Sequence, residues 1–244
     1  MRLARISTPS GPRHVADDGA DWVVVDDVFA RPLVRTDERY PQAGAQLLAP
    51  VEPRVVLGMA HNSGPADRER PPQAFMKSAR TVVGPHDRVQ LDPDGGEVRV
   101  EGELTLVIRK ECRNISPAQF ADVVLGWTIG NDVTAVDQVP LDDKFTQAKN
   151  GDGFTPIGPW IETDLDPSAV TIEVEVDGEC VATSSSANLA WDVVEQLVYL
   201  TSHLTLGPGD IVLTGSPGTA AAVVPGSRST ITLAGIGTLH NTVV

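Results

Sequence analysis

Two glutamates, Glu101 and Glu103, stand two positions apart in the run Val98 to Ile108, where Val98, Val100, Leu104, Leu106 and Ile108 alternate with Arg99, Glu101, Glu103 and Thr105. Successive side chains of a β-strand leave opposite faces, so both carboxylates project from one face and close together. Like charges that near repel, which raises a pKa unless a cation compensates. A third carboxylate, Asp132, follows Asn131 directly after the apolar run Val123 to Ile129, where a charge is costly unless it is paired or bound. Three carboxylates with no neighbouring histidine make a hard oxygen site, suited to Mg2+ or Mn2+, less to Ca2+ and least to Zn2+. Spacing alone leaves a simpler reading open, in which the glutamates are charged residues on a solvated strand face.

The elements that must position these groups are mostly strands. Glycine (22) and proline (19) punctuate short runs rich in Val, Ile and Thr, the texture of a mostly β, α+β protein. Trp22 to Val25, Val55 to Gly58, Ile211 to Leu213, Thr230 to Leu233 and Leu239 to Val244 read as strands. Ser116-Pro117 supplies an N-cap and first-turn proline for a short helix through Val124. A second helix is predicted from Leu189 to Leu206, with Val194, Leu197, Val198, Thr201 and Leu204 on one face and Gly207-Pro208-Gly209 ending it. His61 to Pro72 has no apolar periodicity and reads as a loop. The change of character near Arg54 divides the chain into a small N-terminal domain, 1–52, and a larger domain, 53–244.

Length and charge bound the function. At roughly 150 residues per domain, 244 residues make one or two domains, enough to bury a core without disulfides or a structural metal. The 19 Lys and Arg against 33 Asp and Glu give a net charge of −14 with no basic stripe, which argues against nucleic acid and anionic membrane surfaces as partners. No apolar stretch has the length of a membrane span, and Met1 to Ile6 lacks the apolar run of a secretion signal. Cys112 and Cys180 match neither a zinc nor a redox motif, and are expected to be reduced, packed thiols of a cytoplasmic protein.

From Val55 onward the order of segments resembles the fumarylacetoacetate hydrolase family. The pieces are Leu57-Gly58, Phe75-Met76-Lys77, Glu101-Gly102-Glu103-Leu104, Gly130-Asn131-Asp132-Val133-Thr134-Ala135, Ala148-Lys149, Phe154 to Pro159, Pro208 to Ile211 with Gly215-Ser216-Pro217, and Gly235 to Leu239. The resemblance implies mixed β-sheets coiled into a roll beside the small N-terminal domain, assembled as a homodimer. It implies that Glu101, Glu103 and Asp132 ligate Mg2+ or Mn2+, and that Lys149 and the Ser216 hydroxyl face the substrate. Family members act on small 2-oxo acids and 1,3-dicarbonyl acids, by hydrolytic carbon–carbon cleavage, decarboxylation, or isomerisation or hydration of dienoic acids. These reactions share an enolate or a carbanion beside a carbonyl, which a chelated dication stabilises as a Lewis acid.

The departures bear on the reaction. Family hydrolases carry a histidine, and a glutamate three residues later, in a lid after the strand at Leu57-Gly58; those positions fall on Gly64 and Asp67. His61 stands where the family commonly has tyrosine, and could act in catalysis only if the loop brings it to Asp67 or Glu69. Val136 and Val139 replace the family's arginine and glutamine, Ala182 and Ser186 replace a glutamine and a threonine, and Ser216 replaces a threonine. With the metal platform present and the water-activating pair absent, the reading is a metal-dependent enzyme acting by decarboxylation or by tautomerisation and isomerisation. The alternatives are a carbon–carbon hydrolase of acylpyruvate or fumarylpyruvate type, and a non-catalytic ligand-binding member of the family.

Overall fold

A computed structural model describes residues 1–244. The strands form two sheets. The path of the larger runs Arg35–Pro41, Asp21–Val25, Arg13–Asp18, Arg2–Ile6, Thr155–Glu162, Val124–Asn131, Val98–Ile108, Ile211–Leu213, Val56–Ala60 and Gln73–Lys77. The smaller runs Glu179–Ser185, Thr171–Val176, Arg228–Leu233, Gly237–Val243 and Arg88–Val89. Most pairs are antiparallel, but Ile211–Leu213 lies parallel to Val56–Ala60, and Gly237–Val243 parallel to Arg88–Val89, so both sheets are mixed. This is the mostly β, mixed-sheet architecture expected. No helix is long and apolar enough to cross a membrane.

Val98–Ile108 holds the molecule together. Val124–Asn131 pairs along one side of it, Ile211–Leu213 and Ala220–Val223 along the other, and Thr134–Ala135 beside its first residues. The smaller sheet packs against it at Gly102, where a Cβ would lie 2.8 Å from Val174, 3.0 Å from Ile231 and 3.3 Å from Ile172. The glycine between the two glutamates therefore lets the second sheet approach, and that sheet covers the face from which neither glutamate projects. Leu104, Leu106, Ile108, Ile129, Ile172 and Ile231 fill the core between them, each stabilising the fold by roughly 1.5–3 kcal/mol through burial.

The alternation in this strand holds for its first half only. From Gly102 to Val107 every residue is buried, so the face expected to be wet is covered at Glu103, Thr105 and Val107. Ile211–Leu213 and Val124–Asn131, themselves wholly buried, place this stretch in the middle of the larger sheet. The N-terminal strands extend the same sheet through Arg2–Ile6, which pairs with Thr155–Glu162. Leu3, Ala16, Val25 and Val51 share a cluster with Val107, Leu125, Ile157 and Ile211, while Ala4, Ile6, Val15, Trp22 and Val24 form a smaller cluster of their own.

The predicted short helix is present as a 3₁₀ turn, Pro117–Gln119, running into Phe120–Val123 behind a Ser116–Gln119 capping box. The second helix is shorter than predicted, Val193–His203. Asp192 caps it by accepting from Val194 N and Glu195 N, and Leu204 is already extended. Its buried side includes Val193, Gln196 and Leu200 beside Leu197 and Thr201. The polar Gln196 is buried because its amide donates to Trp191 O and Thr214 O. The predicted loop His61 to Pro72 contains a 3₁₀ helix, Pro65–Glu69. Of the cysteines expected to be packed, Cys112 is buried but Cys180 is exposed on the edge strand Glu179–Ser185 of the smaller sheet, a correction that follows from its edge position; both are free.

Candidate metal centre and active site

The strand register brings the three sequence-predicted carboxylates together. Gly130 opposes Glu103 and Asn131 opposes Gly102, so the residue after Asn131 emerges beside the glutamates. Asp132 N donates to Glu101 O at 3.0 Å and the Asn131 Oδ1 accepts from Glu101 N, which locks the turn. One carboxylate oxygen from each of Glu101, Glu103 and Asp132 lies within 4.8 Å of the other two.

Two lysines enclose the cluster. Lys149, on the short helix Thr146–Lys149, donates from Nζ to Asp132 Oδ2 at 2.5 Å and to Glu101 Oε2 at 3.3 Å. Lys77, at the end of Gln73–Lys77, donates to Asp132 Oδ1 at 2.5 Å, to Phe154 O at 2.7 Å and to Val133 O at 3.5 Å. An ammonium has three N–H donors. Lys77 therefore spends all of its donors inside the protein, whereas Lys149 keeps one for a ligand.

The cluster is electrostatically unequal. Burial works against ionisation of Asp132, but Lys149 and Lys77 outweigh it and hold its carboxyl below the ordinary value. Burial likewise opposes the charge on Lys149, and Asp132 with Glu101 overcomes it, holding the ammonium well above the usual lysine range. Lys77, wholly buried, is pushed down despite Asp132. Glu101, whose side chain is 19% exposed, is pushed up by burial with Lys149 opposing, and accepts from Thr134 Oγ1. Glu103 is the extreme case. Burial, with Asp132 and Glu101 beside it, drives its carboxyl well above the ordinary range, and its one donor is Gly215 N at 2.7 Å.

A buried carboxylate with no cation of its own needs a proton or a bound cation. Three carboxylates converging to within 4.8 Å, all oxygen donors and no imidazole or thiolate, fit a hard dication such as Mg2+ or Mn2+.

Ser216 lies next to Gly215, whose positive φ of 111° suits glycine and whose Cβ would fall 2.3 Å from Asn62 O. The Ser216 Oγ is 2.9 Å from Thr219 Oγ1, and Thr219 Oγ1 donates to Gly102 O at 2.6 Å. With the single Thr219 proton committed to that carbonyl, Ser216 is the donor of the pair and keeps lone pairs for a ligand.

His61 is not brought to an acid. It sits on an exposed turn with φ of 52°, and forms no ion pair with Asp67 or Glu69. Asp67 Oδ2 instead accepts from Ser63 N at 2.8 Å. The lid is pinned to the long helix: Arg68 donates to both carboxylate oxygens of Glu195 and to Ala190 O, and stacks 4.1 Å from the Trp191 ring centroid. Asn62, buried beneath it, donates to Trp191 O and Thr214 O and accepts from Trp191 N. His61 lines a cavity of about 660 Å³ together with Phe75 and Phe145.

Lys77 is the site residue that sequence reasoning did not single out. In Phe75-Met76-Lys77 the period of two puts Lys77 on the side of the buried Phe75 and opposite the exposed Met76. A lysine on the inner face of a strand is a signal of a buried partner.

Comparison with known proteins gives the family. Residues 48–244 match the family model for the fumarylacetoacetate (FAA) hydrolase C-terminal domain, and residues 1–50 match the Rv2993c-like N-terminal model. The chain belongs to the fumarylacetoacetate hydrolase family. It is 34% identical over 261 residues to Protein Rv2993c of Mycobacterium tuberculosis, covering 100% of this chain and 98% of that one. Among solved structures it is similar to 5-carboxymethyl-2-hydroxymuconate delta-isomerase from Mycobacterium smegmatis, with a TM-score of 0.94 and 37% identity over 100% of this chain and 99% of the other. Maleylpyruvate hydrolase from Sphingobium sp. SYK-6, solved in complex with manganese (II) ion and pyruvate, is similar with a TM-score of 0.81 and 26% identity, covering 100% and 99%. Isomerases and hydrolases thus share this fold, and the family's chemistry is enzymatic.

Proposed function

We propose that this protein is a divalent-metal-dependent enzyme acting on a 2-oxo acid or 1,3-dicarbonyl acid through an enolate, by decarboxylation or by tautomerisation and isomerisation. The observation that carries the reading is Glu103, a buried carboxylate without a cation, converging with Glu101 and Asp132 beside Lys149. Glu101, Glu103 and Asp132 would hold Mg2+ or Mn2+, which supplies Lewis-acid stabilisation of negative charge developing on a keto oxygen. Lys149, held as an ammonium by its two carboxylate partners, would act as a fixed positive charge toward a substrate carboxylate or oxyanion. Lys77 holds Asp132 in place and does not reach the substrate, because its donors are all taken. Ser216 offers an acceptor to a substrate hydroxyl or enol proton.

Decarboxylation needs charge stabilisation and a proton source, and tautomerisation needs a proton acceptor as well, but neither needs a water-activating pair, which suits a lid whose His61 has no acid partner. Oxaloacetate and acylpyruvates supplied with Mg2+ or Mn2+ test the proposal. Turnover is expected to cease with a chelator and in Glu103→Ala; turnover unchanged by either would reject it.

A second reading is carbon–carbon hydrolysis, favoured by the similarity to a maleylpyruvate hydrolase and by the place of His61 on the cavity wall. It requires His61→Ala to lower hydrolysis at least ~100-fold, the lower end of general-base assistance. Near-normal hydrolysis in that variant removes it.

A further inference from the structure

The cavity beside the carboxylate cluster has a composition of its own. Phe75 is the wall common to both: the Lys149 ammonium sits 5.0 Å from its ring centroid, and the same ring borders the cavity of about 660 Å³. The ring fits because residue 58 is glycine; a Cβ there would fall 2.3 Å from Phe75 Cζ. Phe145 meets Phe75 edge to face at 5.5 Å, and Val139 and Tyr199 continue the lining. Met76, 61% exposed, stands at the rim as an apolar side chain left in water. The residues lining it that can carry a charge near neutral pH are Asp143 and Lys144, adjacent in sequence and of opposite sign, and His61. Apart from the His61 imidazole, the formal charges of the lining cancel, so the wall holds no lysine or arginine free for an anionic group. The volume lies within the usual range for a small-molecule site.

We propose that this cavity receives the distal end of the substrate, and that this end is an apolar alkyl or aryl group and not a second carboxylate. The inference rests on the function proposed above: the 2-oxo carboxylate head occupies the charged side of Phe75, and the tail passes to the aromatic side. An apolar tail buries Val139, Phe145 and the Met76 side chain, whereas a carboxylate tail is desolvated beside Asp143, with Lys144 already offset by that acid.

The test compares ligands with a common head in the presence of Mg2+, by calorimetric affinity. Phenylpyruvate and 4-methyl-2-oxopentanoate carry apolar tails; oxaloacetate and 2-oxoglutarate carry carboxylates. The apolar pair is expected to bind at least tenfold more tightly, since removing a few methylene groups from an apolar pocket changes affinity by about that much or more. Val139→Lys is expected to reverse the order, while Val139→Leu keeps it. Equal affinities, a preference for the carboxylate tails that Lys144→Ala abolishes, or an order unmoved by Val139→Lys would overturn the proposal and leave the metal-dependent chemistry standing. Failure of all four ligands to bind, with metal binding itself undetectable, removes the underlying reading instead.

Discussion

Glu103→Gln should change the sign of its effect on stability according to whether a dication is present. In metal-free protein, Glu103 is buried among like charges with one backbone donor, and the nearer ammonium, Lys149, is committed to Asp132 and Glu101. The amide keeps the bond from Gly215 N, gains N–H donors toward the neighbouring carboxylates and removes one buried charge. Relieving an uncompensated buried group is worth about 1–3 kcal/mol, which for a domain of this size raises the melting temperature by roughly 2–12 °C. With Mg2+ or Mn2+ at about 1,000 times its dissociation constant the native protein gains about 4.1 kcal/mol, a gain the variant loses with its ligand. The order of melting temperatures in chelator and in metal should therefore invert. The gap in chelator should also widen with pH. The native state holds a proton on Glu103 after the unfolded chain has released its own, so stability falls as pH rises from the ordinary carboxylate value toward the raised one. Thermal unfolding followed by circular dichroism, in EDTA and in metal, from acid to neutral pH, measures all of this. A variant less stable than native protein in EDTA, or one that keeps the full metal-induced rise, refutes the reasoning.

Three further outcomes follow from the same contacts. Lys77→Met takes one of two donors from Phe154 O, which keeps Val133 N, and leaves Asp132 with one ammonium fewer in a buried site; denaturant unfolding should show a loss of about 3–5 kcal/mol, and an unchanged midpoint would mean that the lysine is not needed there. Arg68→Ala removes the ion pair with Glu195 and the stack on Trp191; amide exchange should accelerate across residues 61–72 and little elsewhere, with high salt producing a milder version in the native chain. Ser216→Ala should lower turnover by a few-fold to about tenfold, the worth of one hydrogen bond, and Ser216→Thr should restore it; equal rates in all three would take the hydroxyl out of the site.

The cluster of Glu101, Glu103 and Asp132 was legible in part from local rules, a spacing of two on a strand and a charge at the end of an apolar run, and it took the family resemblance to separate it from carboxylates on a solvated face. What those rules miss is what lies over the strand. The alternation of Val98–Ile108 predicts a wet face, but the face is dry from Glu103 on, and Val107 there joins a cluster with Val28 and Val51 from a distant part of the chain. The helix ended short of its apolar pattern because Asp192 captured the first free amides and the residues before it turned to hold Asn62. The hairpin Thr171–Val176 to Glu179–Ser185 passed unnoticed although Asp177-Gly178, both with positive φ, is a strong turn sequence between β-branched runs. Lys77 escaped because only the ladder with Val56–Ala60 fixes which way its short strand faces.

Gly215 presses its backbone against Asn62 on one side and gives its N–H to Glu103 on the other. A single peptide unit thus joins the hinge of the lid to the least satisfied carboxylate. Linkage would make any coupling across it reciprocal: if a dication on Glu103 steadied the Asn62 turn, ordering that turn would strengthen the hold on the dication by the same factor. The resting protein and the loaded one should then differ in how often the cavity opens, and ion availability would govern admission as well as chemistry.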